Sequence, residues 1–156
     1  MKSYSSTGFT LAELLIVLLI AGVLSIGTLQ GWQRWQQQQQ LRETAYQLQG
    51  FLIQLRARAN WQNRDYPLWY LSGERWCLGS GVRPLQGCVP DQPLTLLAPW
   101  PAVKIYAING EPGFYGRRNV AKAGSIEFGN EAGRWRLIIS ARARIRLCRA
   151  SEEGCE

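Results

Sequence analysis

Residues 9–29, FTLAELLIVLLIAGVLSIGTL, contain one ionisable side chain, Glu13, in a run otherwise free of charge. A run of that length is what an α-helix needs to cross the roughly 30 Å hydrocarbon core of a bilayer. Three kinds of segment compete for it. A removable secretory signal wants a basic start, a short apolar region and a small-residue cut. Only Lys2 precedes the run as a basic side chain, and no good small-residue site falls before Gln30. A plain membrane anchor fits the length but leaves Glu13 unexplained. An acid within hydrocarbon costs on the order of 3 kcal/mol on insertion scales, so such acids usually have a partner. The flanking charges do not orient the segment, because Lys2 lies on one side while Arg34 and Arg42 lie on the other.

The helical pattern continues past the apolar run. No proline occurs from Trp32 to Ala59, and good helix formers dominate. Leu41, Ala45, Leu48, Leu52, Leu55 and Ala59 recur at spacings of 4, 3, 4, 3 and 4, with Arg42, Gln49, Gln54 and Arg56 off that seam. Such spacing predicts one apolar stripe that packs on a globular body. A coiled-coil dimer would want a longer heptad run. The predicted helix, Leu11 to Ala59, is on the order of 70 Å long at 1.5 Å per residue. The glutamines at 36–40 read as a solvated helical spacer, and Gly22, Gly27 and Gly31 as its weak points.

Beyond Asn60 the texture shifts to glycine, proline and short apolar runs. YPLWYL (66–71) and RWCL (75–78) suggest a hairpin, and GSGVRPLQGCVPDQP a loop. LTLLA (94–98), VKIYAI (103–108), SIEFG (125–129), RWRLIIS (134–140) and ARIRLC (143–148) are further strand candidates. Trp135, Leu137 and Ile139 alternate with Arg134, Arg136 and Ile138. In the last strand Ala143, Ile145 and Leu147 alternate with Arg142, Arg144 and Arg146. The expected class is α+β: a long N-terminal helix packed by its second half on an antiparallel sheet. Seven tryptophans are expected to supply large buried area to that core. The expected organisation is a membrane or filament-core helix over 9–30, an amphipathic continuation over 31–60 and a β-rich body over 61–156.

The chain has 18 Lys+Arg against 11 Asp+Glu, a formal charge of +7, and no histidine. The charge raises nucleic acid, anionic lipid or an acidic protein face as partners. Lacking histidine, the chain has no Ser-His or Cys-His nucleophile pair and lacks the usual zinc ligand. The remaining carboxylate pairs, Glu127 with Glu131 and Glu152 with Glu153, do not suggest tuned acid–base chemistry. No catalytic residue, metal site or cofactor is therefore expected. Four cysteines, Cys77, Cys88, Cys148 and Cys155, are not spaced for zinc. Their even number behind an export-type N-terminus reads as disulfides formed in an oxidising compartment. Three connectivities are open, with free buried thiols as the alternative; the local pairs Cys77–Cys88 and Cys148–Cys155 are favoured.

The stretch Gly8-Phe9-Thr10-Leu11-Ala12-Glu13-Leu14, leading into the apolar run, resembles the class III signal of type IV prepilins and pseudopilins. The resemblance implies that residues 1–8 are a leader, cut between Gly8 and Phe9 by a prepilin peptidase, with Phe9 then N-methylated. It also gives Glu13 a partner: the new amine at Phe9 of a neighbouring subunit, an assembly salt bridge. The C-terminal stretch GFYGRRNVAKAGSIEFGN…GRWRLIISARARIRL is similar to the closing pattern of GspH/FimU-type minor pilins, with Ala143 where that pattern often places glycine.

The family implies a minor pilin that initiates or caps type IV pili, with pseudopilins of type II secretion as the near alternative. It implies a single pass through the inner membrane with the C-terminal domain in the periplasm. The implied partners are prepilin peptidase and other minor and major pilins, with the subunit at the pilus tip or primer once assembled. A DNA-uptake role is a further reading. It would use a basic surface that includes Arg142, Arg144 and Arg146 beside Arg117, Arg118 and Arg149, residues equally suited to docking a neighbouring pilin.

Overall fold

The computed structural model describes residues 10–117 and 120–155, apart from the side chains of residues 25–30. One helix, α1 (Leu11–Gln62), precedes seven strands: β1 (Tyr66–Leu71), β2 (Cys77–Ser80), β3 (Thr95–Leu97), β4 (Lys104–Tyr115), β5 (Val120–Asn130), β6 (Gly133–Ile139) and β7 (Ile145–Arg149). The chain divides into two units, Met1–Gln36 and Gln37–Glu156.

In the second unit the seam read from the sequence is the helix face that packs. Leu41, Ala45, Leu48, Leu52, Leu55 and Ala59 are all buried. Thr44 is buried with them, although its polarity hid it from a hydrophobic count. Its hydroxyl donates to the Gln40 carbonyl at 2.8 Å, which removes the cost of burying a lone donor. The helix runs past Ala59 to Gln62 and ends in a Schellman arrangement. Asn63 takes a left-handed φ of 51°. The Arg64 amide then donates back to the Ala59 carbonyl at 3.3 Å. Asparagine tolerates that conformation better than most residues, so the stop is written locally.

The sheet has seven strands in the order β3-β2-β1-β4-β5-β6-β7, and every neighbouring pair is antiparallel. Register assembles the apolar side chains into cross-strand rows. Ile108, Ile126, Leu137 and Leu147 form one row, and Ile105, Phe128, Trp135 and Arg149 form the next. Ile126, Phe128, Leu137 and Ile139 are fully buried in one cluster with the helix seam. Directly opposed apolar pairs of this kind are the unit of sheet stabilisation.

β4 and β5 are longer than the short runs legible in the sequence: the run at 125–129 begins only after Gly124, and the run at 103–108 stops before Gly110-Glu111-Pro112-Gly113. The structure carries the ladder through that segment by a register shift between Gly110 and Gly113. A bulge is where a sheet tolerates a proline without a ladder donor. Across it Glu111 and Lys122 form an exposed ion pair. Lys122 holds the Glu111 carboxyl below its ordinary range, and Glu111 raises the Lys122 ammonium.

The tryptophans depart from expectation. Trp76 is buried and donates its indole N–H to the Val103 carbonyl at 2.8 Å. Trp32, Trp35 and Trp61 are exposed, Trp61 at 91%. Trp32 and Trp35 precede the seam, and Trp61 follows it, so none of the three lies on the packed stretch of helix. Two backbone sites hold the body's turns. A side chain on Gly116 would lie 2.3 Å from the Arg64 nitrogen, so only glycine lets this turn approach the helix end, where Asp65 accepts its amide at 3.1 Å. Ala143 sits at φ 56°, a conformation that favours glycine, yet its methyl is buried.

Leu52→Ala is expected to lose about 2–5 kcal/mol of stability by leaving a cavity in the seam; denaturant unfolding followed by circular dichroism measures it, and a loss under about 1 kcal/mol would contradict the packing described. At position 143 relief of the left-handed strain and loss of a buried methyl nearly cancel. Ala143→Gly should therefore change stability by less than about 1 kcal/mol, whereas β-branched Ala143→Val should cost more than that in the same assay.

Candidate functional site

Gly8 and Phe9, the expected cleavage and methylation positions, lie outside the described residues. The description begins at Thr10, which caps α1. Its carbonyl accepts from the amides of Glu13 (3.1 Å) and Leu14 (3.2 Å), and its hydroxyl accepts from the Glu13 amide at 3.4 Å. Thr10-Leu11-Ala12-Glu13 is thus the S/T-x-x-E spacing of a capping box, a signal present in the sequence that the motif reading passed over. The first turn of a helix carries partial positive charge, and a carboxylate there is stabilised by roughly 0.3–1 kcal/mol. Glu13 is therefore favoured in the single chain while remaining exposed.

Below the cap the helix surface is apolar on all sides. Leu11, Leu14, Leu15, Ile16, Val17, Leu18, Leu19, Ile20, Val23 and Leu24 are each more than half exposed, at 52–78%. A helix that is apolar all round is built for burial in hydrocarbon or among other helices, unlike the one-sided seam of the second unit. Among the described residues no helix is long and apolar enough to cross a membrane. The run read from the sequence also takes in Phe9 and the side chains of 25–30, which are outside that set. Chemically, the first unit offers a single carboxylate at a fixed height on an apolar rod.

The C-terminal arginines divide by strand parity. Cys148 is joined to Cys155, and Cys77 to Cys88. Arg136 donates to the Cys155 carbonyl at 2.9 Å and Arg146 to the Gly154 carbonyl at 3.0 Å, so two guanidiniums pin the terminal loop. Arg136 also pairs with Glu127 at 3.3 Å, and Arg134 with the same carboxylate at 3.5 Å. Of the three arginines singled out by alternation, Arg146 is thus engaged within the chain. Arg142 and Arg144 are exposed, and among the described residues their guanidiniums make no hydrogen bond. Arg117 is exposed as well, and Arg118 lies outside the described residues. Of the carboxylate pairs, Glu131 accepts from the Gln37 amide at 3.0 Å and Glu152 from the Arg149 backbone N–H at 3.4 Å, bonds that hold structure together.

The residues around Glu13 coincide with a known pattern: the prokaryotic N-terminal methylation motif matches residues 4–29. No curated protein sequence matches the chain. The solved structures that the fold matches include those of two proteins. The type IV minor pilin FimU of Pseudomonas aeruginosa aligns at TM-score 0.54 and 18% identity, covering 78% of this chain and 99% of that one. The minor pseudopilin EpsH from the type 2 secretion system of Vibrio cholerae aligns at TM-score 0.53 and 11% identity, covering 72% and 99%. The α+β architecture is therefore the pilin fold. The chain thus joins an N-terminal methylation motif to a fold shared with FimU and EpsH.

Replacing Cys148 and Cys155 by serine should cost about 2–3 kcal/mol from the reopened loop. Denaturant titration of the oxidised chain and the double variant measures the difference; equal midpoints would mean that Arg136 and Arg146 hold the loop without the bridge.

Proposed function

We propose that this chain is a minor pilin: a non-enzymatic subunit, cut between Gly8 and Phe9 by a prepilin peptidase, N-methylated at Phe9, and built into the tip or primer of a type IV pilus. The observation that carries this reading is Glu13, the one acid on an all-apolar helix surface, placed inside the methylation motif. Before assembly the apolar segment would sit in the inner membrane with the body on its periplasmic side. In the filament the same surface would pack against the helices of other minor and major pilins. There the environment is dry, and an unpaired carboxylate is strongly unfavourable. Pairing with the amine of a neighbour's Phe9 relieves that cost and sets the axial register between subunits, since apolar packing alone has no preferred stagger.

The likeness to EpsH supports a second reading, a pseudopilin of a type II secretion system. Deleting the gene separates the two: the first reading expects lost or shortened surface pili with secretion intact, and the second expects the reverse.

Mass spectrometry of the N-terminus is the direct test of maturation, with a methylated phenylalanine expected as the first residue. A chain that still begins at Met1 in cells with an active peptidase would remove the reading. Glu13→Ala should leave membrane insertion unchanged while lowering recovery in sheared filaments by at least about tenfold, since truncating one partner of a buried pair costs on the order of 2–5 kcal/mol.

A further inference from the structure

We infer that a cleft on the helix-facing side of the β6–β7 edge is a docking site for an acidic side chain of a partner subunit, gripped by Arg42 and Arg149. The cleft has a volume of about 350 Å³, and its lining includes Gln38, Leu41, Arg42, Gly133, Trp135 and Arg149. Its two arginines arrive from different elements. Arg149 is directly opposite Trp135 in the β6–β7 ladder, so it shares the helix-facing side of the sheet, and its guanidinium lies 6.0 Å from the Trp135 ring centroid. Arg42 follows the buried Leu41 and stands on the flank of the helix seam.

Neither guanidinium has a carboxylate partner among the described residues. Of the acids on the same or adjoining segments, Glu43, Glu131 and Glu152 have other bonds, and exposed Glu153 pairs with neither guanidinium. Glu43 accepts from the Trp100 indole N–H at 2.7 Å. Glu131 accepts from Gln37, and Glu152 from the backbone of Arg149. Arg134 also lines the cleft, but its guanidinium pairs with Glu127 and lies over the Tyr106 ring at 4.5 Å.

Two like charges lining one concavity repel. An entering carboxylate reverses that balance. Guanidinium forks bind carboxylates with two parallel hydrogen bonds, the Gln38 amide adds a donor, and Trp135 with Leu41 offers apolar surface to the methylene stem. A chain of formal charge +7 is also matched electrostatically to an acidic partner. A nucleic-acid backbone presents a row of phosphates and suits an exposed stripe such as Arg142 and Arg144 better than a recess. That the acid belongs to a neighbouring subunit rests on the filament reading above. The anion chemistry of the cleft does not.

The test uses the full chain in non-ionic detergent micelles and a fluorescein-labelled hexaglutamate peptide, with binding read by anisotropy at low salt. Arg42→Gln with Arg149→Gln is expected to weaken binding at least about tenfold, whereas Arg142→Gln with Arg144→Gln, an equal change in net charge, should alter it less than about twofold. Unchanged far-ultraviolet circular dichroism and melting temperature show that the first variant is folded. If it melts early, Arg42→Lys with Arg149→Lys keeps both charges and should still lose several-fold affinity with the bidentate geometry. Equal losses in the two glutamine variants, or no peptide binding by the parent chain, would overturn the proposal. So would displacement of the peptide by equimolar inorganic phosphate or by phosphatidylglycerol vesicles, which would make the cleft a phosphate or lipid site. Binding is read on the isolated chain, so the result stands whether or not the chain is processed or enters a pilus.

Discussion

Burial of one face of α1 against the antiparallel sheet is the contact on which the body depends. Six seam residues from Leu41 to Ala59 and the inward rows of β5 and β6 form a single cluster, with Trp76 and Phe114 filling it. The stripe must be narrow, because Arg42, Gln49 and Arg56 border it along one flank of the same helix. It must also be regular, because a single slip in period would turn a charged residue into the sheet. Arg56 shows how near the edge lies: it is half-buried and donates to the Ala143 carbonyl at 3.0 Å, linking the helix to the β6–β7 turn.

The first unit obeys a different rule. Its apolar residues occupy every side, so no single sheet can cover them, and a surrounding apolar medium or several helices must. Placing an acid there is unfavourable except near a helix start, where Thr10 caps the backbone and the first turn attracts negative charge. Glu13 therefore has a local reason to be tolerated, and the proposed pairing would add an assembly reason for its presence. The two would act at different stages. The cap acts in the isolated chain, whereas the amine of another subunit would become relevant only when water is excluded.

The body tolerates local strain where packing offsets it. Ala143 adopts a glycine-like φ of 56° in the turn before β7 while burying its methyl in the core, at the position where the resemblance leads one to expect glycine. Gly110, Glu111, Pro112 and Gly113 would end an ordinary strand, yet β4 passes through them because the bulge leaves the proline outside the ladder. The charged groups follow the same economy of position. Arg136 and Arg146 satisfy carbonyls of the terminal loop, and Glu127 lies between Arg134 and Arg136.

Periodicity alone determined the helix, its buried seam, the alternating β6 and the α+β class, because side-chain direction at 3.6 and 2 residues per repeat is a local property of the backbone. The motif around Glu13 was equally local, since its glycine, cap and acid lie within a few residues of one another. Only the tertiary structure decided the rest. The reach of β4 through a glycine- and proline-rich segment depended on its partner strand β5. Which tryptophans are buried depended on where the sheet ends along the helix. Arg149, grouped from the sequence with Arg142, Arg144 and Arg146, instead lies opposite Trp135 in the ladder, and its nearness to Arg42 follows from sheet order and register, which join residues more than a hundred positions apart. No local pattern contains that distance.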